Sequence, residues 1–117
     1  MTLSEKQQEF TRLIALLIKE SYDMGYKMTF GDAYRSPDTA KMNELQGKGI
    51  ANSLHIIRLA IDLNLFLNGK YLTTKDEYLK VGELWESYSF GEITCTWGGR
   101  FVSGDANHFS LLHNGVR

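Results

Sequence analysis

Three separated blocks hold the residues of this chain whose types and spacing could do chemistry: Ser53-Leu54-His55, then Asp62, then Asp105-Ala106-Asn107-His108. The chain has only three histidines, and two of them fall in these blocks with carboxylates close by in sequence. Neutral imidazole and carboxylate are the ligands zinc takes when its role is catalytic, and three of them leave a fourth position open for water. Asp62 follows His55 by seven residues, and Asp105 precedes His108 by three. The pattern suggests a hydrolytic zinc centre assembled from distant parts of the chain.

Taken singly, each residue has a plainer reading. A lone histidine on a strand is more often a structural residue than a ligand. Asp62 fits a solvated strand position, Arg35 a surface ion pair, and Asp105 an ordinary turn aspartate within Ser103-Gly104-Asp105-Ala106-Asn107. Their joint occurrence at defined spacing changes the balance.

Ser53-x-His55-x6-Asp62, followed near the C-terminus by Asp105-x-x-His108-Phe109, resembles the signature of the zinc D-Ala-D-Ala metallopeptidases. That group includes D-alanyl-D-alanine carboxypeptidases of the vancomycin-resistance type and the L-alanyl-D-glutamate endopeptidases found as small phage endolysins. Upstream, Ala33-Tyr34-Arg35-Ser36 resembles the group's arginine motif, and Trp97-Gly98-Gly99-Arg100-Phe101 resembles its glycine-rich turn. The four blocks keep the family's order from residue 33 to about 113, roughly two-thirds of the chain.

The resemblance implies one zinc ion (Zn2+) held by His55, Asp62 and His108, with Asp105 as general base. Arg35 would stabilise an oxyanion or grip a substrate carboxylate through two hydrogen bonds. Ser53 would bind substrate or orient the loop before His55. Aspartate at 105 departs from the glutamate usual in the carboxypeptidase branch and agrees with some endolysins. The implied substrate is the stem peptide of peptidoglycan, cut between L-alanine and D-glutamate, with D-alanyl-D-alanine carboxypeptidase as the alternative. A non-catalytic phage structural or binding module of the same fold is the reading from another class.

The elements that must position these residues are legible in part. Ser4 with Gln7 reads as a capping box opening a helix whose apolar face is Phe10, Leu13, Ile14, Leu17 and Ile18, with Gly25 as its stop. Met28-Thr29-Phe30 reads as a short strand leading to Tyr34-Arg35. Ser36-Pro37 predicts a cap and first-turn proline for a second helix, from Pro37 to about Leu45. Gly47-Lys48-Gly49 predicts a flexible loop before the first ligand block. Strict alternation over residues 57–67 predicts a strand with its leucine face inward and Asp62 on the opposite face.

Asn68-Gly69 is a tight-turn pair, so residues 70–72 should return as a hairpin partner. Thr74 with Glu77 caps a third helix that packs through Tyr78, Leu79, Val81, Leu84, Trp85 and Tyr88. After Gly91 the chain reads as strands around the Gly98-Gly99 and Gly104 turns. Asp105 and His108 would face opposite ways in one strand, so a turn or bulge must separate them. The expected class is α+β, a small antiparallel sheet packed with about three helices, similar to the hedgehog/D-Ala-D-Ala peptidase fold.

At 117 residues the chain fits a single catalytic domain spanning 1–117, with 43% hydrophobic residues to fill one core. A formal net charge of −1 with interspersed signs leaves no footprint for nucleic acid or anionic lipid. The single cysteine, Cys95, excludes an intrachain disulfide and a cysteine zinc site; it reads as a half-buried strand residue. No segment approaches the ~20 apolar residues of a membrane span, and the N-terminus carries no secretory signal pattern. The expected protein is a monomer made in the cytoplasm that acts at the cell wall if released, for instance from a host cell by a separate membrane-permeabilising phage protein. His113 matches no ligand position, and the position of Trp97, in the cleft or in the core, is left open.

Overall fold

The computed structural model describes residues 1–45 and 53–117. The predicted Gly47-Lys48-Gly49 loop lies outside the described residues.

Helix α1 spans Leu3–Asp23. Its capping box is Thr2 with Glu5, not Ser4 with Gln7. Both pairs have the right spacing, and the earlier one wins because it adds helical bonds to the first turn. Phe10, Leu13, Ile14 and Leu17 are buried as their spacing predicts. Gly25, at φ 98°, lets the chain leave the helix in a conformation that other residues avoid.

Strand β1 (Tyr26–Phe30) follows, then helix α2 (Pro37–Leu45), opened by the Ser36 hydroxyl accepting the Thr39 amide at 3.1 Å. A single 3-10 turn, Leu54–Ile57, precedes strand β2 (Ala60–Leu67). The predicted strand over residues 57–67 is therefore shortened at its start. Arg58 sits at φ 57° and its amide closes the turn onto His55 O, which interrupts the extended chain before the alternation begins.

Within β2, Ile61, Leu63 and Leu65 are buried, while Asp62, Asn64 and Phe66 on the other face are partly exposed. Asn68 and Gly69, both with positive φ, turn the chain into β3 (Lys70–Tyr71). Helix α3 (Lys75–Ser87) carries the predicted Thr74/Glu77 capping box and buries Tyr78, Val81, Gly82 and Trp85. Strands β4 (Cys95–Trp97) and β5 (His108–Leu111) complete the sheet.

The sheet order is β1-β2-β5-β4, with β3 also paired to β2, and every pairing is antiparallel. Among the described residues the architecture is three α-helices on a small antiparallel sheet, the expected α+β class. Helices α1 and α3 share one core with the inward residues of β2, closed by Trp85, Trp97 and Phe109. Trp85 meets both Phe10 and Phe109 edge-on, at 5.8 and 6.4 Å between ring centroids. Cys95 is buried rather than half-buried, and burial pushes its thiol up to about 12. No helix among the described residues is long and apolar enough to cross a membrane.

Candidate metal centre

The outer face of the sheet carries the three predicted ligand residues. Antiparallel register places Asp62 of β2 directly opposite His108, the first residue of β5. His55 reaches the same point from the 3-10 turn before β2. That turn is capped by Ser53, whose Oγ accepts the His55 amide at 3.2 Å. Asp62 Oδ1 lies 3.3 Å from His55 Nε2 and 3.7 Å from His108 Nδ1. One ligand atom from each of the three residues falls within 4.8 Å of the others.

The two separations from Asp62 Oδ1 fit a metal. Bonds of 2.0–2.2 Å in a tetrahedral zinc site put ligand atoms roughly 3.3–3.6 Å apart. Asp62 Oδ1 is buried and no protein group hydrogen-bonds it, although two imidazole nitrogens point at it. A buried acceptor left without a partner costs ~1–3 kcal/mol, and a shared cation removes that cost. Burial pushes the Asp62 carboxyl up, but the flanking His108 and His55 outweigh it and hold the group down at about 2. It is therefore ionised at any working pH. The far nitrogens, His55 Nδ1 and His108 Nε2, are also buried without a partner. The imidazoles are packed by rings instead: His55 and His108 meet edge-on at 5.4 Å, and Phe101 lies 5.3 Å from His108.

Asp105 stands beside this cluster, its Oδ2 3.8 Å from His108 Nδ1. The required break between Asp105 and His108 is a turn: the His108 amide donates to Asp105 O at 3.1 Å, so β5 begins only at His108. The Asp105 amide is held by Gly98 O at 2.9 Å, and Trp97 Nε1 donates to Ala106 O at 2.7 Å. Burial pushes the Asp105 carboxyl up, aided by the charge of Asp62 and opposed by His108, His55 and Arg35. A carboxyl poised in this way is suited to exchange protons.

Arg35 is brought to the centre by backbone bonds. Its amide donates to His55 O at 3.2 Å, while Gly31 donates to Asp62 O at 2.8 Å and Asp62 to Asp32 O at 2.9 Å. The Arg35 guanidinium pairs with Asp32 at 3.0 Å and its buried Nε has no partner, so it keeps donor capacity. Ser53 acts as the cap of the His55 turn.

Three further residues shape the centre: Gly98, from the glycine-rich turn, and Gly31 and Asp32, which the sequence motifs do not single out. A Cβ at Gly31 would lie 2.9 Å from Asp62 Cβ, and one at Gly98 would lie 2.0 Å from Asp105 O and 2.8 Å from His108 Cβ. Asp32 orients Arg35. Gly31 and Asp32 precede the arginine motif directly, but no periodicity marks them. Trp97 belongs to the core, not the cleft, and is fully buried. His113 contacts Lys6 Nζ at 3.1 Å, away from the cluster.

The family described as D-alanyl-D-alanine carboxypeptidase matches residues 46–111, a span that contains His55, Asp62, His108 and Asp105. Among solved structures the chain is similar to the L-Ala D-Glu endopeptidase ChiX of Serratia marcescens. The TM-score is 0.68 at 20% identity, over 92% of this chain and 84% of that one. No curated protein matches the chain in sequence.

Proposed function

The chain belongs to the D-alanyl-D-alanine carboxypeptidase family, and from that premise we propose that it is a zinc peptidase hydrolysing the stem peptide of peptidoglycan between L-alanine and D-glutamate. The observation that carries this reading is the convergence of His55, Asp62 and His108, one ligand atom from each within 4.8 Å of the others, with Asp105 3.8 Å from His108. His55, Asp62 and His108 would hold the ion. Zinc in such a site supplies a Lewis acid and lowers the pKa of a bound water towards ~7.

The chain's own residues do the rest. Asp105 accepts a proton from the attacking water and returns it to the leaving amine. The Arg35 guanidinium, fixed by Asp32, stabilises the oxyanion or holds a substrate carboxylate. Ser53 keeps the His55 turn in place, and its hydroxyl can also bind substrate. The whole chain acts as one catalytic domain and a monomer, at the cell wall.

The endopeptidase branch is supported by aspartate at 105 and by the shared fold with an L-Ala D-Glu endopeptidase. The description of the matching family favours the carboxypeptidase alternative, which would use the same residues on the terminal D-alanine. Mass spectrometry of purified peptidoglycan digested by zinc-loaded protein, with a chelator control, separates them. Chelator-sensitive release of stem peptides lacking L-alanine is the expected result. Loss of terminal D-alanine would select the carboxypeptidase, and unchanged muropeptides across several wall types would overturn the peptidase reading.

A further inference from the structure

Strands β3 and β5 border the same edge of β2, pairing with Phe66–Leu67 and with Ala60–Asp62 respectively. Between them the edge is left open as a notch of about 210 Å³, lined by Tyr71, Leu72, Thr73, Tyr78 and the Gly104–Asn107 loop. Along this stretch of β2, Leu65 N–H is taken by the Tyr78 hydroxyl at 3.0 Å, and Leu63 N–H by Asn107 O at 2.9 Å. The notch is therefore not a slot for another strand. It is smaller than the ~300 Å³ of a drug-sized pocket, so it has room for about one residue.

Asp105 is the wall shared by the notch and the metal centre. The segment carrying Arg35 flanks the opposite edge of β2 through the Gly31 and Asp32 bonds to Asp62. A peptide crossing the centre thus has Arg35 at one end and the notch at the other. With Asp105 handing its proton to the leaving amine, the residue bearing that amine must sit on the Asp105 side.

No lysine or arginine is among the described residues lining the notch. Among the described residues Asp105 is its one charged side chain, beside hydroxyls of Tyr71, Thr73 and Tyr78 that donate as well as accept. The Asn107 amide nitrogen is committed to Asn64 Oδ1 at 3.1 Å, which leaves the amide oxygen, and Asp105 adds a carboxylate. An α-carboxylate on the incoming residue would face like charge, whereas an α-carboxamide would donate hydrogen bonds. We propose that this notch is the subsite for the residue on the amine side of the scissile bond, and that it takes that residue with its α-carboxyl group amidated, as D-isoglutamine, in preference to free D-glutamate. This inference rests on the peptidase reading above.

The test compares two synthetic stem peptides, identical except for D-isoglutamine or D-glutamate after L-alanine, using the full zinc-loaded chain. Like-charge repulsion across a few ångströms in a partly wet site predicts about tenfold higher kcat/KM on the amidated peptide. Thr73 is exposed on the notch wall, and only its backbone amide is engaged, by Glu77. Thr73→Trp should fill the notch and raise KM for both peptides about tenfold, with zinc content and Tm unchanged. Thr73→Arg should add the missing cation and bring the amide-to-acid ratio to one or below, a shift that a structural role for Thr73 does not produce. Cleavage of both peptides with wild-type KM in Thr73→Trp and an unchanged ratio in Thr73→Arg overturns the subsite alone. A wild type that binds zinc yet cleaves neither peptide overturns the endopeptidase reading and this subsite with it.

Discussion

Asp62 and His108 are direct partners across the antiparallel strands β2 and β5, with Asp62 Oδ1 3.7 Å from His108 Nδ1. A single strand register thus fixes two of the three candidate ligand groups, and the Ser53-capped turn fixes the third. A one-residue slip of β5 would turn His108 to the other face of the sheet, so the hydrophobic pattern that sets the register also brings these side chains together.

His55→Ala and His108→Ala should each abolish stoichiometric zinc after dialysis. Zinc at ~100 times its Kd should stabilise the wild type by ~2.7 kcal/mol, on the order of 10 °C in Tm, and neither variant should show that shift. Asp62→Ala should weaken zinc less, because water can replace one oxygen ligand. Full occupancy in either histidine variant would mean that the ligand set is wrong.

Gly98→Ala tests the packing behind the centre. Its methyl would overlap Asp105 O and crowd His108 Cβ, two backbone-anchored neighbours that cannot both yield. Overpacking of this kind costs ~1–3 kcal/mol. Because the displaced atoms belong to the Asp105–His108 turn, zinc affinity should fall along with the denaturation midpoint. A folded Gly98→Ala protein with wild-type zinc affinity would show that the turn is softer than its hydrogen bonds suggest.

Glu77 gives a pH signature remote from the centre. The Lys70 ammonium at 2.9 Å, the Thr73 and Thr74 amides and the Thr74 hydroxyl together hold its carboxyl down to about 2. A depressed folded value means that the carboxylate stabilises the fold above the ordinary glutamate range, and that this contribution fades as pH falls towards about 2. Glu77→Gln keeps one acceptor and loses the charge. Its Tm should lie below wild type at pH 7, with the gap closing between about pH 5 and pH 2 in thermal melts. A gap independent of pH would assign the effect to the cap's shape and not its charge.

The elements that could be read from the sequence are those built by local chemistry. Pro37–Leu45, the Thr74/Glu77 cap and the Asn68-Gly69 turn each depend on neighbours within four residues, and each stands where it was expected. The start of β2 does not, because Arg58 N–H bonds back to His55 O and breaks an alternation that continues in the sequence. Trp97 could not be placed for a similar reason. Its ring needs the bare backbones of Gly82 and Gly99, where a Cβ would come within 2.2 Å, and only the fold brings α3 to β4. The grouping of His55, Asp62 and His108 was legible from spacing, but the Gly31–Asp32 bonds that tie Arg35 to Asp62 follow no period and belong to tertiary structure.

Asp105→Asn separates proton transfer from metal binding. The amide preserves the shape of the side chain and its turn, so zinc should remain stoichiometric while kcat falls at least ~100-fold. In the wild type, burial and the charge of Asp62 hold the Asp105 proton more tightly than in the unfolded chain. The same shift has a stability sign: between the unfolded and folded values the folded state binds more protons, so stability falls as pH rises and ionised Asp105 is a net cost at pH 7. Metal-free Asp105→Asn should accordingly melt at or above wild type at pH 7, and lose that advantage at low pH, where the wild-type carboxyl is protonated in both states. An inactive variant that also loses its zinc would place Asp105 among the ligands. A variant keeping more than a tenth of wild-type kcat would remove it from proton transfer.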